Sequence, residues 1–162
     1  MRRMTVLMAV VALVVIAVAP ATVAKNATQR NFAAPLSGSE EVPPAATQAT
    51  GVAKFQLSQD GNQLSYKINV ANIQGVVAAH IHCAEVGANG PVGVTLFSGG
   101  PTGAVNGTLI QGVITAPNAP NNMCGWDDLA AVIAAMQSGD TYVNVHTIPP
   151  GVPSGELRGQ IK

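Results

Sequence analysis

Charge is scarce in this chain. Only 10% of its 162 residues are Asp, Glu, Lys or Arg, and the two signs balance. That scarcity leaves no basic patch to grip a phosphate backbone, so nucleic acid is not an expected partner. Beyond residue 24 no apolar run is long enough to span a bilayer, so no membrane span is expected once the N-terminal segment is removed. Nucleophile motifs are missing too: Ser98 and Ser154 lie in turn sequences with no His at a telling spacing, and nothing argues for a triad. The stretch Gly99-Gly100-Pro101-Thr102-Gly103 has no following helix or Lys and reads as a loop, not a phosphate cradle. There is no internal repeat.

What is present begins with an export signal. Arg2 and Arg3 precede an uncharged apolar run, Val6 to Val18, and small residues follow at Ala19-Pro20-Ala21 and Thr22-Val23-Ala24. This is the layout of a cleaved secretory signal over residues 1–24, with cleavage after Ala21 or Ala24. An uncleaved N-terminal anchor is the alternative. Export implies a secreted or periplasmic protein. Setting Arg2 and Arg3 aside leaves six Lys and Arg against eight Asp and Glu, a net charge near −2. Residues 25–31 read as a flexible leader and 32–162 as one domain.

Sparse charge with frequent Gly and Pro favours a mostly β fold. Phe32 to Ser37 reads as a first strand, and the double proline Pro43-Pro44 makes the following segment irregular. Residues 51–58 and 63–71 alternate apolar and polar around Asp60-Gly61, the signature of a hairpin. Further strands are expected at Val76 to Cys83, Val92 to Phe97, Thr108 to Ile114, Thr141 to Thr147 and Glu156 to Ile161. Between them, Asp127 or Asp128 can cap a short helix whose stripe is Leu129, Val132, Ile133 and Met136, ended by Gly139. The expected fold is an antiparallel, Greek-key-like β-sandwich carrying one short helix.

The three histidines stand out against this frame. His80 and His82 share one face of their strand, with Val77, Ala79, Ile81 and Cys83 on the apolar face. His146 shares the more polar face of its own strand with Tyr142 and Asn144. If the two strands are neighbours, the three imidazoles converge, and such a set suits copper or zinc. The bland alternative is that each ring simply hydrogen-bonds to its surroundings. Cys83 faces away from His82 and is a poor co-ligand. Cys83 and Cys124 are the only possible intrachain disulfide, which an oxidising exterior favours; two free thiols or soft-metal ligation are the other options. Closing that loop contributes about 4 kcal/mol in the chain-entropy account. Glu41 and Glu156 are candidate paired carboxylates. Because Glu156 and Arg158 share a strand face, a structural ion pair between them is expected. Trp126 is expected to cover the core or the disulfide. Met123, a soft sulfur in a loop, is a further copper candidate that more often means packing.

Several segments resemble one family. They are Leu36-Ser37-Gly38 with Glu40-Glu41-Val42-Pro43-Pro44, Ala79-His80-Ile81-His82 with Gly87-Ala88-Asn89-Gly90-Pro91-Val92, and Tyr142-Val143-Asn144-Val145-His146-Thr147 with Gly155-Glu156-Leu157-Arg158-Gly159-Gln160-Ile161. Together they are similar to the CHRD domain, named from the developmental protein chordin, over residues 32–162. Cys83 and the loop around Cys124 depart from the family pattern and look like an added disulfide. The resemblance implies an extracellular β-sandwich module without a well-established activity; chordin itself is a binding antagonist of secreted growth factors, so the expected partner is an unidentified extracellular protein or a metal ion. A fainter resemblance is to the copper–zinc superoxide dismutase sandwich, whose copper ligands His80, His82 and His146 would match. The bridging histidine and the zinc-loop histidines of that enzyme have no counterpart here. The leading expectation is therefore a non-enzymatic exported binding module holding copper or zinc. The alternatives are a copper-dependent redox enzyme of superoxide-handling type and a metal-free interaction or envelope-structural module.

Overall fold

The alternating segments become strands in a computed structural model, which describes residues 29–118 and 122–162. The segment read as an export signal and most of the expected leader lie outside the described residues. In chain order β1 is Asn31–Ser37, β2 Thr50–Leu57, β3 Leu64–Ile73, β4 Val76–Cys83, β5 Val92–Ser98, β6 Val105–Ile114, β7 Thr141–Thr147 and β8 Leu157–Gln160. Among the described residues one α-helix, α1, spans Leu129–Ser138, and a single 3-10 turn spans Gly38–Glu40. The strands pair antiparallel in a single sheet of order β5-β4-β7-β8-β1-β2-β3-β6. The sheet curls until its edges β5 and β6 meet, and the Tyr66 hydroxyl of β3 donates to the Leu96 carbonyl of β5 at 2.7 Å. The expected sandwich thus takes the form of one nearly closed sheet.

The hairpin signal around Asp60-Gly61 sets the register of β2 on β3, from Thr50 opposite Ala71 to Leu57 opposite Leu64. That register puts Ala53, Phe55 and Leu57 on the same interior as Leu64, Ile68 and Val70, all buried. A one-residue slip would turn every one of these outward. Between β3 and β4 the chain crosses from one half of the sheet to the other in two residues, Gln74 and Gly75. Gly75 has φ +68°, a conformation that disfavours any residue with a side chain. In α1, Asp128 accepts from the Ala131 N–H at 2.9 Å and Gly139 closes the C-terminus in the left-handed region. The stripe Leu129, Val132, Ile133 and Met136 is buried in the common core.

Two details depart from simple alternation. In β4 it is Val76, not Val77, that is fully buried, because the register shifts between Val76 and Ala78. More consequential is the polar side of β4, β7 and β8. Alternation placed the histidines on the less apolar side of their strands, yet that side is not open to water. All but one residue of β7 and all of β8 are buried, and His82 is only 9% exposed. Hydrogen bonds from these strands, and from Glu156 just before β8, reach Ala88, Asn89 and Gly90 in one loop, Glu41 and Thr47 in a second, and Val152 and Pro153 in a third. Those loops roof the polar face.

Candidate metal centre

β4 and β7 are direct neighbours. His82 opposes Tyr142, His80 opposes Asn144, and Ala78 opposes His146. With two histidines on one strand and the third diagonally across, the rings converge. Their centroids are 5.6 Å apart for His80 and His82, 5.1 Å for His80 and His146, and 6.2 Å for His82 and His146. One nitrogen from each ring lies within 4.8 Å of the others. Three nitrogens about 2.0–2.1 Å from a shared ion would stand about 3.3–3.6 Å apart, so closure asks for side-chain adjustments of under about 1 Å each.

The hydrogen bonds determine which nitrogens are free. Nδ1 of His82 is 2.9 Å from the Gly90 carbonyl, and Nδ1 of His146 is 3.1 Å from the Pro153 carbonyl. A carbonyl only accepts, so each Nδ1 carries the proton and each Nε2 of a neutral ring carries a lone pair. Both Nε2 atoms are buried without a partner, as is Nδ1 of His80. Locking the outer nitrogen on a backbone carbonyl is how metal-ligating histidines are oriented. Burial, reinforced by the neighbouring charges of His146 and His82, pulls His80 from its ordinary 6.5 down to about 4. Burial lowers His82 as well, opposed by its bond to Gly90 and aided by His146 and Arg158. Burial likewise lowers His146, against its bond to Pro153. All three rings are therefore neutral at pH 7 and ready to coordinate.

A second tier of residues holds His82 in place. Its ring stacks on Tyr142 with centroids 4.8 Å apart and planes at 11°. Arg158, 2% exposed, sets its guanidinium carbon 3.6 Å from the centre of the Tyr142 ring. The same Arg158 donates to Asn89 Oδ1 at 2.9 Å and to the Ala88 carbonyl at 2.6 Å. The Gly90 N–H donates to the Tyr142 hydroxyl at 3.1 Å. The loop that fixes the tautomer of His82 is thus itself fastened by Tyr142 and Arg158.

Other expected residues land elsewhere. Glu156 and Arg158 take separate partners: both Glu156 oxygens accept from hydroxyls, Thr47 at 2.7 Å and Thr147 at 2.6 Å. The expected ion pair gives way to these two sets of bonds, because neutral partners from the roofing loops reach each group. Glu41 and Glu156 are each bonded to neutral partners of their own. Glu41 accepts from Asn144 Nδ2 at 2.7 Å. Burial pushes Glu41 up to about 7, against the Asn144 bond and the Arg158 charge. Cys83 and Cys124 are bonded in a disulfide, with Cα atoms 5.8 Å apart. Trp126 lies against the bare backbone of Gly93, where any Cβ would collide with its ring. Met123 is 80% exposed in its loop. No sequence motif assigns a metal-site role to Tyr142, Asn144, Asn89 or the Gly90 and Pro153 carbonyls. The first two stood on the polar face beside His146, a signal that was available; backbone carbonyls leave no trace in sequence.

The family model for the CHRD domain matches residues 32–161. The chain belongs to the CHRD-domain family. No curated protein and no solved structure matches it, so the fainter likeness to the dismutase sandwich gains no support.

Proposed function

We propose that this protein is an exported CHRD-type binding module that holds one transition-metal ion, copper or zinc, through His80, His82 and His146. One observation carries the reading: each of the three clustered imidazoles has a buried nitrogen without a partner, one nitrogen from each ring lies within 4.8 Å of the others, and two of the rings have tautomers fixed by carbonyls. Leaving three buried polar atoms unpaired is costly in a folded protein, and a shared cation would satisfy all three at once. An all-nitrogen set fits copper and zinc chemistry, and three protein ligands leave a coordination position open. The Cys83–Cys124 bridge supports export, since a reducing cytosol disfavours such bonds. No helix among the described residues is long and apolar enough to cross a membrane.

The test is metal retention. Purified protein loaded with copper or zinc and dialysed against a weak chelator should keep one ion per chain. His82→Ala should keep none, with a lowered but still cooperative thermal melt showing that it folds without the ring. If the parent retains no metal, the metal-free interaction module is the better reading. Superoxide turnover by the copper-loaded form would favour the redox enzyme.

A further inference from the structure

Resting on the metal reading above and deepening it, we propose that the three-histidine site is built for a monovalent soft cation, Cu(I), and that buried Arg158 sets this preference against Zn(II) and Cu(II). The ligand set is neutral. It contains three imidazoles and no carboxylate, and both cysteines are held in the disulfide. The work of taking an ion out of water grows with the square of its charge, so a divalent ion faces about four times the penalty of a monovalent one in the same buried site. Three neutral imidazoles bind a divalent ion more strongly too, but they add no negative charge, so the charge on the groups behind them decides the balance.

Arg158 supplies that charge. The guanidinium is 2% exposed and rests on the Tyr142 ring that stacks on His82. Its hydrogen bonds go to neutral oxygens, Asn89 Oδ1 and the Ala88 carbonyl. Glu156, two residues away, is occupied by Thr47 and Thr147. The carboxyl whose field Arg158 does feel is that of Glu41, which burial keeps partly protonated at neutral pH. A buried, weakly compensated positive charge, joined to His82 through the Tyr142 ring, opposes each further unit of charge on the metal. Cu(I) accepts imidazole nitrogens, tolerates three-coordination and brings the smallest charge of the three ions.

Competition reads this directly. The full mature protein is loaded under nitrogen with ascorbate, Cu(I) buffered by bathocuproine disulfonate, and an equal concentration of Zn(II). The bound copper and zinc are then measured. Copper should be retained over zinc, and reoxidation should weaken its binding. Removing Arg158 outright risks the fold, so the informative variant is Asn89→Asp at an exposed position. It keeps an acceptor for Arg158 and sets a negative charge against the guanidinium, while giving up the amide donation to the Val42 carbonyl. It should move the zinc-to-Cu(I) affinity ratio about tenfold toward zinc, the order expected for one compensating charge acting through a partly screened interior. Preference of the parent for Zn(II) or Cu(II) would overturn the inference and leave the metal reading standing. An unchanged ratio in folded Asn89→Asp would overturn the role of Arg158. A folded parent that retains no metal of any kind would overturn the metal reading itself.

Discussion

The two halves of the one sheet treat their outward faces in opposite ways. On β2, β3 and β6 the outward positions are Lys54, Gln56, Ser65, Lys67 and Gln111, all exposed. On β4, β7 and β8 the corresponding face carries His80, His82, Asn144, His146, Arg158 and Gln160 beneath a roof of loops. Polar groups in water need no internal partner, whereas roofed ones do. Among the described residues, the five buried side-chain atoms without a partner, His80 Nδ1, His82 Nε2, Thr141 Oγ1, Asn144 Oδ1 and His146 Nε2, all belong to β4 and β7. The open half is a solvated scaffold. The roofed half is where the fold tolerates unpaired polar atoms, and three of those five are the candidate ligands.

The comparison predicts that damage to the open half is felt in stability alone. Leu64 is fully buried at the end of β3, and Leu64→Ala should cost about 2–5 kcal/mol. A urea titration reads the loss, and metal stoichiometry of the folded fraction should be unchanged. Loss of metal in that variant would break the separation of the two halves.

A smaller effect, dependent on pH, is expected from the roofed half. The folded value of Glu41, about 7, lies above its ordinary 4.5. Its contribution to stability is therefore fully present below pH 4.5 and is lost as pH rises through 7. Glu41→Gln keeps an acceptor for Asn144 without the charge. It should gain on the parent between pH 5 and pH 8 by a margin on the order of 3 kcal/mol. His80 runs the other way: held down to about 4, it stabilises the metal-free fold above 6.5 and loses that contribution as pH falls through 4. Denaturation series at the two pH values distinguish the effects; a gap between parent and variant that does not vary with pH would contradict the assignment to Glu41.

The smallest effect returns to the open half. Lys54 and Lys67 face each other across β2 and β3, a like-charge pair on a solvated face. Lys67→Glu should stabilise by about 0.2–1 kcal/mol at low salt and less at high salt. A destabilisation there would mean that this face is not the open surface described.

The two halves also differ in how well the sequence displays them. The hairpin of β2 and β3 is written in strict alternation around Asp60-Gly61, and the caps of α1 in Asp128 and Gly139. The histidine pair on β4 and the single histidine on β7 were legible as sharing polar faces, because period-two geometry is local. The roof was not legible. Its bonds join residues far apart in the chain, Glu41 to Asn144, Thr47 to Glu156 and Asn89 to Arg158, and no local pattern encodes which loop folds over which strand. For the same reason Glu156 and Arg158, two apart on one face, suggested an ion pair that the long-range partners displace. The curling of one sheet, with β5 meeting β6, likewise depends on summed twist and not on any single segment.

X-ray absorption at the metal edge of loaded protein tests the central claim most directly. The account predicts three imidazole nitrogens at about 2.0 Å and no sulfur in the coordination shell, because Cys83 and Cys124 are tied to each other and Met123 lies in an exposed loop. A sulfur scatterer, or fewer than three imidazoles, would contradict it.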